Sequence, residues 1–262
     1  MAQAVETKPR ERDPNHKVEV APSPRWVRVM FNGETIASSK RPMLLVETGH
    51  RPVYYFPRED VRMDVLEPTA TRTHCPYKGD ASYCSIRVGD RVSEDAVWSY
   101  EEPFPDQQDV RGHIAFYWDR VDAWYEEADL LHKHPRDPRH RVDVLESSRH
   151  IQVAINGQTV ADTHRLRILF ETGHPTRYYI PPEDVRMDLL EQSDLHTRCP
   201  YKGEASYWTA RIGDQELKDI VWGYQDPIAE CPRIRGHLSF FNEKVDVTVD
   251  GKPEARPITS WS

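Results

Sequence analysis

Cysteine is scarce here and never closely paired. The 262 residues contain 4 cysteines and no CxxC, so a structural zinc, which takes about four ligands at once, has no ready holder. Long apolar runs are missing too. Nothing approaches the roughly 20 apolar residues that a membrane helix needs, and the start of the chain, MAQAVETKPRERDPNHKVEV, has no apolar centre of a secretory signal. The expectation is therefore a soluble cytoplasmic protein in a reducing environment, without disulfides. No GxxxxGK[ST], GxGxxG, GxSxG or HExxH motif occurs, which removes the commonest phosphate loop, dinucleotide fingerprint, nucleophile elbow and zinc-protease helix. Nor is there an excess of positive charge. With 35 Lys+Arg against 43 Asp+Glu the net charge is -8, which excludes a general grip on phosphate backbones and leaves only local basic clefts open. At 38% hydrophobic and 10% aromatic the chain can still build cores. Its length fits two modest domains better than one large one.

What is present is a repeat. Shifting the chain by 124 residues brings Glu47-Thr48-Gly49-His50 onto Glu171-Thr172-Gly173-His174, and the CPYKG that starts at Cys75 onto the one that starts at Cys199. From Glu47/Glu171 to Asp122/Asp246 the register holds without a gap over 76 positions, of which 38 are identical. Two copies of one globular domain follow, since the period is too long for a solenoid unit. Boundaries are placed at 24–128 and 148–252, with a mobile N-terminal segment (1–23), a linker (129–147) and a mobile tail (253–262). In the linker, His132, His134 and His140 suggest a metal site, but no flanking carboxylate or cysteine pattern completes one, so a solvated linker is expected.

Each copy opens with alternating apolar residues, Val27, Val29 and Phe31 or Ile151, Val153 and Ile155. Asn32-Gly33 or Asn156-Gly157 follows, the signature of a hairpin with a type I' turn. Cys84, Ile86 and Val88 share one strand face, opposite Tyr83, Ser85 and Arg87. The apolar face changes to Trp208, Ala210 and Ile212 in the second copy, while Tyr207, Thr209 and Arg211 keep the polar character. PREDVRMDVL, from Pro57 to Leu66, reads as the one short helix, with Pro at the first turn and acids behind it. The fold class is mainly β, with two tandem domains of antiparallel sheets.

Many polar and aromatic groups recur 124 residues apart. They include Glu47/Glu171, His50/His174, Tyr77/Tyr201, Lys78/Lys202, Tyr83/Tyr207, Trp98/Trp222, Tyr100/Tyr224, Arg111/Arg235 and His113/His237. Cores tolerate exchange of hydrophobes, whereas ligand-contacting groups are hard to replace. A duplication that leaves structural ion pairs and hydroxyls alike is the competing explanation. For Arg62 and Asp64 a structural ion pair or cap is preferred over ligand contact, and Glu59 and Asp60 read as dipole and capping groups. The clusters at 47–50, 77–79 and 111–113 each contain a glycine, as loops at a pocket mouth do. Trp98 and Tyr100, two apart on a strand, face the same side as an aromatic wall or as core. Cys75 and Cys199 read as inert buried thiols rather than nucleophiles.

The runs YYFPREDVRMDVLE, CPYKGDASYCSIRVGD, AVWSYEEP and RGHIAFYWDRVD, with their counterparts in the second copy, resemble the bacterial domain-of-unknown-function 427 family over about 200 of the 262 residues. The resemblance implies a β-tent fold similar to the ligand-binding domain of cereblon, to Yippee proteins and to methionine sulfoxide reductase B. Those relatives usually hold zinc through paired CxxC motifs, which this chain lacks. The family is also catalogued as nucleotidyltransferase-like.

The leading expectation is a small-molecule-binding protein with one pocket per copy and neither metal nor cofactor. Its aromatic wall would hold a planar ligand of nucleobase or cyclic-imide type, and Glu47, Lys78 and Arg111 with their counterparts would set polarity. Two alternatives stand beside it. One is a nucleotide-acting enzyme with His50 or His113 as general base and Lys78 with Arg111 on phosphate; metal-dependent transfer would need Asp60 and Asp64 as ligands. The other is a bivalent protein-interaction module.

Overall fold

The computed structural model describes residues 12–262. The chain divides between Asp137 and Pro138 into two compact units. Among the described residues no helix is long and apolar enough to cross a membrane. The first unit contains β1 (Val18–Pro22), β2 (Val27–Phe31), β3 (Glu34–Ser39), β4 (Met43–Glu47), β5 (Val53–Pro57), β6 (Leu66–Cys75), β7 (Gly79–Val88), β8 (Arg91–Tyr100), β9 (His113–Phe116), β10 (Ala123–Glu126) and β11 (Asp129–Leu130). They form a seven-stranded sheet of order β1-β4-β5-β9-β8-β7-β6 and a four-stranded sheet of order β11-β10-β2-β3. The β2–β3 turn has positive φ at both Asn32 (48°) and Gly33 (77°), the geometry that the Asn-Gly pair favours.

Strand alternation divides the side chains of the large sheet between two cores. Tyr54 and Phe56 of β5 point with Ile86, Val97 and Phe116 toward β2 and β3, closing a core with Val27, Val29, Phe31 and Ile36. Tyr55 points the other way and packs with Leu45, Tyr83, Tyr100 and Val110. The candidate site lies on this second face.

The second unit repeats the plan with β12 (Val142–Ser147), β13 (Ile151–Ile155), β14 (Gln158–Thr163), β15 (Leu166–Glu171), β16 (Arg177–Tyr179), β17 (Leu190–Cys199), β18 (Gly203–Ile212), β19 (Gln215–Gly223), β20 (Leu238–Phe240), β21 (Asp246–Val249) and β22 (Lys252–Pro253). Its sheets run β12-β15-β16, β17-β18-β19-β20 and β14-β13-β21-β22. Reciprocal backbone bonds between Ile180 and Leu238, 2.8 and 2.9 Å, join the first two.

Three expectations change. The Pro57–Leu66 stretch forms two 3-10 turns, Arg58–Asp60 and Met63–Val65, rather than one helix. Val61 bridges to Ala37 and the Arg62 amide donates to the Ile36 carbonyl at 2.8 Å, so sheet pairing claims the backbone midway. The same interruption occurs at Val185 and Ala161. Of the N-terminal segment, residues 1–11 lie outside the described residues, but Val18–Pro22 pair with β4 from Glu47 to Met43. The linker likewise supplies β11 and β12, the latter paired with β15. Pro and charge density suggest a mobile segment at 1–23 and a solvated linker at 129–147, yet the alternating valines pair at a sheet edge.

Candidate functional site

Strand β4 ends at Glu47, whose side chain turns onto the second face of the large sheet. There it is 8% exposed and meets two donors. Lys78, in the β6–β7 turn and 6% exposed, hydrogen-bonds Oε2; His16 Nε2 donates to Oε1 at 2.9 Å. The second unit repeats the arrangement: Lys202 donates to Glu171 Oε2 at 2.6 Å and His140 to Oε1 at 3.0 Å. Burial works to raise the Glu47 carboxyl, but the bonds from Lys78 and His16 outweigh it and hold the group below the ordinary carboxylate range. Burial and Lys202 act on Glu171 in the same opposed way, again with a net lowering.

Aromatic rings extend the network outward. Tyr77 stacks on His16 with centroids 3.8 Å apart and planes 12° apart, and His50 meets His16 edge-on at 6.1 Å. Tyr201 and His174 sit about His140 in the same way, at 4.0 and 5.8 Å. His16 carries no expectation from the sequence, and His140 figures there only in a linker metal site that is set aside. The signal was available, because Asp13-Pro14-Asn15-His16-Lys17-Val18 and Asp137-Pro138-Arg139-His140-Arg141-Val142 stand at the repeat offset. The solvated-linker reading therefore fails for His140, whose ring is held by Glu171.

In the first unit a cavity of about 990 Å³ opens beside this network. Its lining includes Glu47, His50, Tyr77, Lys78, Tyr83, Trp98 and Tyr100, seven of the nine candidate residues of that copy. Trp98 and Tyr100 share the face, as their spacing on β8 requires. Trp98 is half-buried, donates Nε1–H to the Tyr55 hydroxyl at 3.1 Å, and lies 4.6 Å from the Tyr117 ring. The Tyr83 hydroxyl is anchored to Thr73 Oγ1 at 2.9 Å. Burial, with a hydrogen bond to Tyr83, pushes the Tyr117 phenol up to about 12, so the wall is neutral at ordinary pH. Arg51, Val53, Asp119 and Lys133 also line it.

Arg111 and His113 do not join this lining. Arg111 is exposed on the turn before β9, and His113 Nδ1 bonds the Arg111 carbonyl at 3.0 Å. In the second unit Arg235 pairs with Asp226 at 3.0 Å, and His237 repeats the local bond at 3.0 Å. The glycine between these residues serves the turn, with φ of 73° at Gly112, and not a pocket mouth. Arg62 and Asp64 form the expected bidentate ion pair, at 2.8 and 2.6 Å.

The second copy's Trp222 and Tyr224 pack with Leu169, Tyr179 and Cys231, and Tyr207 packs against that cluster. His140, Glu171 and His174 bring three ligand-capable atoms within 4.8 Å of one another. Both Glu171 oxygens are already engaged, one by an ammonium, so a cation there must displace Lys202 or face its charge. The set fits a hydrogen-bonded network better than a coordination shell.

The architecture defines a tandem β protein with a preserved Lys–Glu–His network behind an aromatic wall. The family model described as domain of unknown function (DUF427) matches residues 19–127 and 143–251, and the chain belongs to that family. A search of curated proteins returns no match.

Proposed function

We propose that the first unit binds a small planar molecule with an N–H edge, of nucleobase or cyclic-imide type. The observation that carries this reading is the convergence of Tyr77, Tyr83, Trp98 and Tyr100 with Glu47 on one cavity of about 990 Å³, at the upper end of the range for small-molecule sites. Trp98 supplies a flat face for stacking. Glu47 supplies the polar edge: an ionised carboxylate has about four lone-pair sites, and Lys78 and His16 occupy only two. The depressed carboxyl stays an acceptor at neutral pH, which selects N–H donors over acceptor edges. Metal-dependent nucleotidyl transfer draws no support from Asp60 and Asp64, since Ser39 Oγ bonds Asp60 at 2.7 Å and Arg62 takes both oxygens of Asp64.

A thermal-shift series with guanosine, uridine and glutarimide tests the proposal. A hundredfold excess of ligand over Kd stabilises by about 2.7 kcal/mol, and Trp98→Ala should abolish that shift while leaving the circular dichroism spectrum unchanged. No stabilisation by any of the three, or equal stabilisation of Trp98→Ala, overturns it.

A further inference from the structure

Three residues that line the cavity of the first copy are replaced in the second. Arg177 stands where the first copy has Val53, Phe241 for Tyr117 and Glu243 for Asp119. Arg177 is buried and bidentate to Glu243, at 2.8 and 2.7 Å. Its guanidinium carbon lies 5.3 Å from the Trp222 ring, 5.9 Å from Phe241 and 5.6 Å from Trp261. Trp222 lies on β19 and donates to the Tyr179 hydroxyl at 3.1 Å, and Phe241 directly follows β20. The third ring arrives from outside the repeat, on a segment in which Ile258 is 96% exposed. Thr259 Oγ1 fastens that segment by donating to Glu243 Oε1 at 2.8 Å. Trp261 then lies 5.9 Å from His174 and 6.5 Å from Phe241. The 253–262 stretch is thus docked, not the mobile tail its composition suggested.

We infer that the second unit carries its own aromatic-binding site, a guanidinium platform formed by Arg177 between Trp222 and Phe241, and that the indole of Trp261 occupies it. Four features favour an exchangeable occupant over core packing. Arg177 and Trp222 are buried, Trp261 is 41% exposed, the bond from Thr259 to Glu243 ties residues 259–262 to the platform, and the corresponding stretch of the first unit reaches the cavity with Lys133 instead. A planar ring over a desolvated guanidinium gains both stacking and cation–π attraction. The external ligand is accordingly an indole-sized aromatic, with no negative charge required. The inference rests on the planar-ligand reading of the first cavity only for the class of ligand.

N-acetyl-tryptophanamide titrated calorimetrically into the full-length chain tests it. The Trp98→Ala background silences the first cavity. In that background a short tether holds Trp261 at millimolar effective concentration, so its removal should raise the apparent affinity about tenfold or more. Trp98→Ala/Trp261→Ala is therefore expected to bind one equivalent where Trp98→Ala alone binds weakly or not at all. Equal binding by these two variants overturns the inference. Failure of the first-cavity reading shows separately, as no stabilisation by guanosine, uridine or glutarimide, and leaves the comparison at Trp261 intact.

Discussion

Replacing Lys78 with methionine isolates the buried ion pair on which the first site is built. Methionine keeps much of the length and the apolar stem of lysine and deletes the ammonium. Glu47, 8% exposed, then keeps a single donor, His16. Breaking a buried pair from one side costs about 3–5 kcal/mol, and the remaining charge-assisted bond from His16 offsets part of it, so a loss of about 2–3 kcal/mol is expected. For a unit of this size that lowers Tm by roughly 10 °C. Urea unfolding of the full-length chain measures the loss, with the untouched Glu171–Lys202 pair in the second unit as the internal reference. The double variant Lys78→Met/Glu47→Leu removes both charges and should recover to within about 1 kcal/mol of the parent. A single-variant loss under about 0.5 kcal/mol, or a double variant no more stable than the single, refutes the reasoning.

Acid should act through the same groups. Glu47 and Glu171 titrate below their unfolded value, about 4.3 for an ordinary glutamate. The unfolded chain therefore binds more protons in that window, and stability is complete above about pH 4.5 and lost as pH falls through the folded values. Glu47→Gln/Glu171→Gln should show a smaller drop in Tm between pH 6 and pH 3.5 than the parent; an equal drop counts against the assignment. Gly79→Ala probes the turn that presents Lys78: at φ +105° a new Cβ meets the Glu102 carbonyl oxygen at 3.3 Å, so a loss of about 2 kcal/mol or more is expected. Gly49→Ala, at φ +75° with nothing within 4 Å, should lose only about 1 kcal/mol by the same urea assay.

Much of the fold could be read from the chain because it is written twice. Alternation at Val27, Val29 and Phe31 gave the hairpin, and the spacing of Trp98 and Tyr100 gave their common face. Pro57–Leu66 misled because helical cues in sequence carry no information about the bridge from Val61 to Ala37. Arg111 and His113 misled because a glycine between polar residues marks a tight turn as readily as a ligand loop. His16 and His140 are masked by composition, because the proline and charge around them read as solvated chain although the two stand at the repeat offset. Arg177 and Trp261 lie beyond what a repeat can reveal, since each differs from its counterpart and only the fold brings them together.

The edge strand β1 has a practical corollary for anyone dissecting this molecule. A fragment excised at the apparent start of the homologous stretch, residue 24, would leave β4 with a bare edge and strip Glu47 of one of its two donors. Cutting at residue 148 would do the same to β15 and Glu171. Clean excision of either half must begin at or before the Asp-Pro dipeptide, at Asp13 or Asp137, so that each piece carries its own histidine.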